Sequence, residues 1–326
     1  MSQASHVLVT GGAGFVGSYV IRDLLRAEQE VIVYDSTVTL NSLDSVLDEG
    51  DRARLRIEQG DVTDGWRLLR LCERNSVDRI IHLASPLTNA IRESPGPGLA
   101  SMCGGTANVF EAARQLSMRR VVWASSISVF GQPPGGPVDN GAPRRPESLY
   151  GSGKVLCEDL AAAYRSDAGV DSIGLRLTVL YGAWRLRGWG PSFGQDSDPI
   201  RSALVGEPVV VQNPDLNLDW LYVEDAAALI CRSLEVPTPV DHVFNTSGEA
   251  ATRREFAEHI ADVVSSSVVV VEPGENGAYP GGEAATFDDS ALRDQIGYGS
   301  HHTLREGIEA TVAMYQRAGL HRELHD

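Results

Sequence analysis

The sequence predicts an α/β fold: a doubly wound parallel sheet followed by a smaller C-terminal α/β lobe. Three observations carry that prediction. Short apolar runs alternate with amphipathic stretches through the first 180 residues. Those runs are continuously apolar, as in strands covered on both faces. The first of them, HVLVT, runs straight into a glycine-rich turn and a helix-forming segment. Such alternation requires right-handed crossovers, which place helices on both sides of one parallel sheet.

Taken in order, the predicted strands are Val7–Thr10, Val31–Tyr34, Arg56–Gln59, Arg79–Leu83, Arg120–Ser125 and Ile173–Leu177. Between them lie predicted helices Val16–Ala27, Trp66–Asn75, Thr106–Leu116 and Gly153–Ser166. After Leu180 the regularity fades, and Tyr181–Pro199, rich in Gly, Trp, Arg and Asp, reads as a long loop. A helix at Ile200–Gly206 and strands at Pro208–Val211 and Trp220–Tyr222 follow. Next come a helix at Glu224–Leu234, a strand at His242–Asn245, a helix at Arg253–Val264, a strand at Val268–Val271 and two C-terminal helices. The Gly- and Pro-rich stretch Glu272–Thr286 reads as a surface loop. The division expected is a nucleotide-binding domain of residues 1–180, rejoined by 206–235, and a substrate lobe of 181–205 and 236–326.

The chain has 326 residues, 42% of them hydrophobic and 22% charged, with a net charge of −16. That charge repels phosphate backbones and anionic lipid, so neither nucleic acid nor membrane is an expected partner. No apolar run has membrane-spanning length, and the N-terminus shows no export signal. Cys72, Cys103, Cys157 and Cys231 fall in predicted helices, none at metal-ligand spacing. They read as buried reduced thiols of a cytoplasmic protein, and no metal is expected.

Gly11, Gly14 and Gly17 form G-x-x-G-x-x-G between a strand and a helix, with Phe15 and Val16 inside the motif. The first glycine permits a tight turn, the second a close approach to a pyrophosphate, the third close helix–strand packing. Free N–H groups at the helix start then face the phosphate charge. Asp35 lies 18 residues after Gly17, at the end of the next strand. A carboxylate there accepts hydrogen bonds from adenosine ribose hydroxyls and repels a 2′-phosphate. No Arg or Lys follows in STVTLNSLDS, so NAD is favoured over NADP.

Tyr150 and Lys154 are four residues apart, and both project from one face if the helix predicted at Gly153–Ser166 already begins near Tyr150. A phenol ionises near pH ~10 and is a poor base at neutral pH. A neighbouring ammonium favours the phenolate. The pair suits proton exchange with a substrate hydroxyl, with Ser126 holding the same oxygen.

The motifs TGGAGFVG, YD, GDVTD, IHLAS, SSISVFG, YGSGK, LRLTVLYG and LDWLYVEDAA together resemble the extended short-chain dehydrogenase/reductase family. That family includes NAD-dependent epimerases and dehydratases of sugars. The resemblance implies a Rossmann fold with Gly11, Gly14, Phe15, Val16 and Gly17 at the pyrophosphate and Asp35 at the adenosine ribose. It implies Asp61 and Val62 at the adenine, and Leu83, Ala84 and Ser85 lining the path to the nicotinamide. Ser126, Tyr150 and Lys154 would be the catalytic triad, with Lys154 also on the nicotinamide ribose and Thr178–Leu180 passing near that end of the site. A homodimer is implied too, paired through the helices near 99–116 and 153–166.

The sequence departs from the family at informative places. The acidic pair with which dehydratases eliminate water is replaced by Ile127 and Ser128. Met102 and Val179 stand where Asn is usual. Leu218 occupies the place before Asp219 where sugar-nucleotide enzymes put an Arg on the substrate's diphosphate, and GGEAATFDDS holds no second Arg. Trp184, Arg185, Arg187, Trp189 and Phe193 either line a substrate pocket or pack a loop onto the domain. The expected activity is hydride transfer between NAD and a secondary alcohol or ketone of a small polar substrate: a sugar, polyol or hydroxy acid. The alternatives are epimerisation of a sugar or sugar nucleotide, and a non-catalytic dinucleotide-binding redox sensor.

Overall fold

The computed structural model describes residues 6–37, 41–132, 136–185, 198–271 and 286–319. The chain begins β1 (His6–Thr10), α1 (Phe15–Arg26), β2 (Glu30–Asp35), α2 (Asn41–Val46), α3 (Glu49–Ala53), β3 (Arg56–Gln59), α4 (Gly65–Arg74) and β4 (Val77–His82). There follow α5 (Thr88–Glu93), α6 (Pro95–Leu99), a π-helical turn (Ala100–Gly104), α7 (Gly105–Gln115), β5 (Arg120–Ser126), α8 (Leu149–Ala168) and β6 (Ser172–Leu177). Seven of these and later strands form one sheet, in which β3, β2, β1, β4, β5 and β6 lie side by side with every pair parallel. The order reverses between β1 and β4, and ligands of doubly wound folds sit at that switch point, at the strands' C-terminal ends.

Alternation along the strands fills two cores. Val7, Val9, Val31, Val33, Ile81 and Val122 face one side. Leu8, Ile32, Ile80, Val121 and Trp123 face the other. Each successive side chain points to the opposite face, and helices bury both, which is why these runs are apolar throughout.

The rest of the chain comprises β7 (Val179–Tyr181), α9 (Pro199–Leu204), β8 (Val209–Gln212), β9 (Asn217–Tyr222), α10 (Val223–Ser233), β10 (Val243–Asn245) and β11 (Glu249–Thr252). It ends with α11 (Arg253–Val264), β12 (Val268–Val271), α12 (Ser290–Ile296) and α13 (Leu304–Arg317). A three-stranded sheet runs β11-β9-β7, and β8 pairs with β12. Trp220 stacks on Phe256, centroids 4.1 Å apart, between the small sheet and α11.

Four features differ from the sequence reading. The strands β7 and β11 are not expected from sequence, because three or four residues show no usable period. Residues 243–245 pair with β6 at the edge of the large sheet, within a stretch assigned by sequence to the substrate lobe. Helix α8 begins at Leu149, four residues earlier than predicted, because Ser148 caps it by accepting from Gly151 N. Short helices fill 88–99, where prolines and glycines obscure any helical pattern. Among the described residues, no helix is long and apolar enough to cross a membrane.

Candidate active site

The glycine turn is built by constraint. Gly11 adopts φ +70°, and a Cβ there would lie 2.6 Å from Ala84 N. Only glycine allows both the left-handed turn and this approach of the β4 end. A Cβ on Gly17 would clash with the Gly11 carbonyl, so α1 can pack this closely only without one. Gly14 caps α1 and donates its N–H to Gly11 O at 3.1 Å. Asp35 ends β2 and accepts from Ala13 N at 3.1 Å and Thr37 N at 3.1 Å, which ties its carboxylate to the turn.

The remaining predicted positions gather along the same end of the sheet. Leu83 N donates to Thr10 O at 3.0 Å, so Leu83, Ala84 and Ser85 leave β4 beside the turn. Asp61 receives Thr63 N and Thr63 Oγ1 at 2.8 Å each, and its carbonyl accepts the Tyr34 hydroxyl at 3.0 Å. Val62 is buried, and its carbonyl is held by Asn108 Nδ2 at 2.8 Å.

Ser126 ends β5 and caps a short 3-10 turn, its Oγ 3.1 Å from both Ser128 N and Ser128 Oγ. Tyr150 lies in the first turn of α8, half-buried. Gly151 next to it meets the Ser128 carbonyl so closely that a Cβ would clash. That contact sets the start of α8 against the Ser126–Ser128 turn. Lys154 is only 4% exposed. Its Nζ donates to Ala124 O at 2.8 Å and stands 5.7 Å from the centre of the Tyr150 ring. The structure therefore brings Tyr150, Lys154 and the Ser126 strand end to one junction. Ile127 and Ser128 occupy that turn, and neither can transfer a proton as a carboxyl group would.

Sequence reasoning missed two buried polar groups around this junction. His82 bridges Thr10 Oγ1 at 2.7 Å and Thr106 Oγ1 at 3.1 Å. Thr106 donates its hydroxyl proton to Met102 O at 2.7 Å, so His82 Nε2 donates to Thr106 Oγ1. Burial, with the Lys154 charge second, holds the ring down to about 3, so it is neutral and its Nδ1 accepts from Thr10 Oγ1. The second group is Glu158, which accepts from Ser125 Oγ at 2.6 Å and from Arg176 Nε and Nη2 at 2.8 and 2.9 Å. Arg144 adds a contact at 3.3 Å. This cluster ties α8 to β5 and β6. Polar residues inside otherwise apolar strands, His82 in β4 and Arg176 in β6, were the available signal.

The substrate side is partly described. Leu218 is packed against the core and paired with Ala251, so no cation stands there. Asp219 accepts from Gly248 N at 2.6 Å and Ser247 Oγ at 2.8 Å, and burial raises its carboxyl. Trp184 packs edge-on against Tyr315, centroids 5.0 Å apart, which is core packing and not a pocket wall. Desolvation lowers the Arg185 guanidinium to about 10, opposed by Asp198. Arg187, Trp189, Phe193 and the first half of GGEAATFDDS lie outside the described residues. Among the described residues, no group of three or more His, Cys, Asp or Glu could hold a metal ion.

A doubly wound sheet with a glycine turn at its switch point defines a dinucleotide-binding α/β protein. The chain belongs to the NAD dependent epimerase/dehydratase family, whose model matches residues 7–247, and its cofactor is NAD. It is 27% identical to the dTDP-glucose 4,6-dehydratase of Neisseria meningitidis serogroup B over 344 residues, covering 95% of this chain and 92% of that one. The UDP-glucose 4-epimerase of Thermus thermophilus, solved with NAD, superposes with a TM-score of 0.79 at 25% identity, covering 96% and 99% of the two chains. An L-threonine dehydrogenase from Clostridium difficile shares the fold, with a TM-score of 0.84 at 24% identity over 98% and 99%.

Neutral His82 makes stability depend on pH. An unfolded histidine takes up a proton below pH ~6.5 that the folded ring refuses. The stability it supplies is complete above pH ~6.5 and is lost as pH falls toward about 3. Between about pH 7 and about pH 5 the loss is about 2 kcal/mol. His82→Asn keeps a donor and an acceptor but cannot titrate there. Its stability, measured by urea unfolding, should fall by about 2 kcal/mol less over that interval. An unchanged pH dependence would refute the assignment.

Proposed function

We propose that this chain transfers a hydride between the carbinol carbon of a small polar substrate and NAD, with Tyr150 exchanging the hydroxyl proton. The observation that carries this reading is the Tyr150–Lys154 pair, seated by Lys154 Nζ on Ala124 O beside Ser126. Ser126 orients the reacting oxygen by a second hydrogen bond. Lys154 stands beside the Tyr150 ring and holds the nicotinamide ribose. Gly11, Gly14, Phe15, Val16 and Gly17 receive the pyrophosphate, and Asp35 the adenosine ribose. Asp61 and Val62 meet the adenine, and Leu83, Ala84 and Ser85 line the way to the nicotinamide.

Net oxidation or reduction is favoured over elimination of water. Elimination needs a second acid–base pair, and Ile127 and Ser128 stand where a dehydratase of this family carries carboxyl groups. Epimerisation is the second reading. It uses the same residues, with the hydride returned to the opposite face, and the likeness to the Thermus epimerase supports it. A small-molecule substrate fits both. Leu149 and Leu156 stand exposed on α8, at 49% and 48%, on a helix through which a homodimer would pair.

Tyr150→Phe removes the ionisable oxygen and leaves the packed ring. Turnover of any alcohol that yields NADH should fall at least about a hundredfold while NAD binding persists. Wild-type turnover in this variant would eliminate Tyr150 as the proton-transfer group.

A buried diphosphate requires cationic partners, and arginine supplies them best. With Leu218 apolar and packed, the substrate should lack a nucleotide diphosphate. Calorimetry with UDP, UDP-glucose and dTDP, in the presence of NAD, should show no binding tighter than about millimolar. Micromolar binding would instead promote the sugar-nucleotide epimerase reading.

A further inference from the structure

Two thiols meet where the catalytic helix crosses the π-helical turn. Cys103 Sγ points at Gly153 O, 3.7 Å away, one turn before Cys157 on α8. Cys157 Sγ points back at Met102 O, 3.8 Å away, next to Cys103 on the turn. Each sulfur thus reaches the backbone beside the other, which sets the two thiols together at the crossing. Gly153 makes the crossing possible, since a Cβ there would lie 2.7 Å from Met102 Sδ. Thr106 Oγ1 is 3.4 Å from Cys157 Sγ. Cys72 and Cys231 lie on other helices, α4 and α10.

The surroundings are those of a reactive pair. The neighbouring Cys103 lowers the Cys157 thiol most, and Lys154 and Thr106 lower it further against burial. Cys157 in turn raises Cys103. A thiol with a positive group beside it is one that oxidants select. Cys157 is 1% exposed, whereas Cys103 is half-buried, so a small oxidant enters from the Cys103 side.

We propose that Cys103 and Cys157 form a redox-sensitive dithiol, closed to a disulfide by hydroperoxides, that loosens the seat of the cofactor through Lys154. The Cys157 thiolate, its proton lost to solvent, attacks the peroxide. The O–O bond breaks, sulfur takes one oxygen as a sulfenic acid, and the other leaves as hydroxide. Cys103 Sγ, giving up its proton, then displaces hydroxide from the sulfenic sulfur and the S–S bond forms. Two thiols are oxidised, and one peroxide becomes two waters. The sulfurs close to a covalent bond of about 2.05 Å. That draws α8 toward the π-helical turn one turn beyond Lys154, and shifts Nζ from Ala124 O. The effect on the cofactor rests on the proposed role of Lys154 at the nicotinamide ribose; formation of the bond does not.

The test treats the folded protein with hydrogen peroxide, maps cross-linked peptides by mass spectrometry and measures NADH affinity by fluorescence. A Cys103–Cys157 cross-link reversed by dithiothreitol is expected, with NADH affinity lowered about tenfold, as for the loss of one charge-assisted hydrogen bond. Cys103→Ser should bind NADH normally and keep that affinity through peroxide; should it fail to fold, Cys103→Ala serves the same purpose. Two free thiols after treatment, or separate oxidation of each sulfur to the sulfinic acid, would overturn the dithiol. A cross-link that leaves NADH affinity unchanged would overturn its control of the cofactor. Lys154→Met, measured alongside, separates that result from failure of the Lys154 reading: NADH binding equal to the unmutated protein's would remove the reading and leave the cross-link chemistry standing.

Discussion

A buried ammonium group at the crossing of α8 and β5 constrains everything around it. Lys154 Nζ is held by the Ala124 carbonyl at 2.8 Å, and a charge in such a place is costly unless polar groups surround it. The hydrogen bond fixes the rotation of α8 about its axis, so Tyr150, one turn earlier, is presented at the end of β5 beside Ser126. The same charge acts on its neighbours. It works with burial to keep His82 neutral, and it lowers the thiol of Cys157. On the proposed reading, the nicotinamide ribose provides the remaining polar partners.

Two polar assemblies hold this crossing from either side. From the cofactor side, a chain of donors runs from Ala84 N through Thr10, His82 and Thr106 to the Met102 carbonyl. It links the glycine turn to the π-helical turn and requires an uncharged imidazole throughout. From the C-terminal side, Glu158 binds Arg176 bidentately and takes the hydroxyl of Ser125, the neighbour of Ser126. Breaking a buried pair of this kind costs about 3–5 kcal/mol. Its partners stand on β5, α8 and β6, the three elements that present Ser126, Tyr150 and the Thr178 segment.

The nucleotide half of the molecule was legible in sequence because its signals are local. Continuous apolar runs become strands covered on both faces, and Gly11 and Gly17 are demanded by backbone contacts that no side chain could survive. Tyr150 and Lys154 were legible because a helix places residues four apart on one face. What escaped was set by contacts distant in sequence. His82 read as part of a strand, since Thr10 and Thr106 lie 72 and 24 residues from it. The strand at 243–245 pairs with β6 across about seventy residues of chain, and nothing in three residues announces that partner. Trp184 looked equally like a pocket wall or packing until Tyr315 was found against it. The cysteines read singly as buried thiols, because no spacing reveals that helices crossing at Gly153 bring two of them together.

The central claim is that this chain moves a hydride from a carbinol carbon to NAD. It is tested most directly by isotope transfer. The protein is incubated with NAD and secondary alcohols deuterated at the carbinol carbon, drawn from sugars, polyols, hydroxy acids and sugar nucleotides, and the cofactor is then weighed by mass spectrometry. The account predicts that at least one alcohol places a single deuterium on the nicotinamide ring. No deuterium on the cofactor from any of these alcohols, with NAD bound, would contradict it and leave a dinucleotide-binding protein without hydride chemistry.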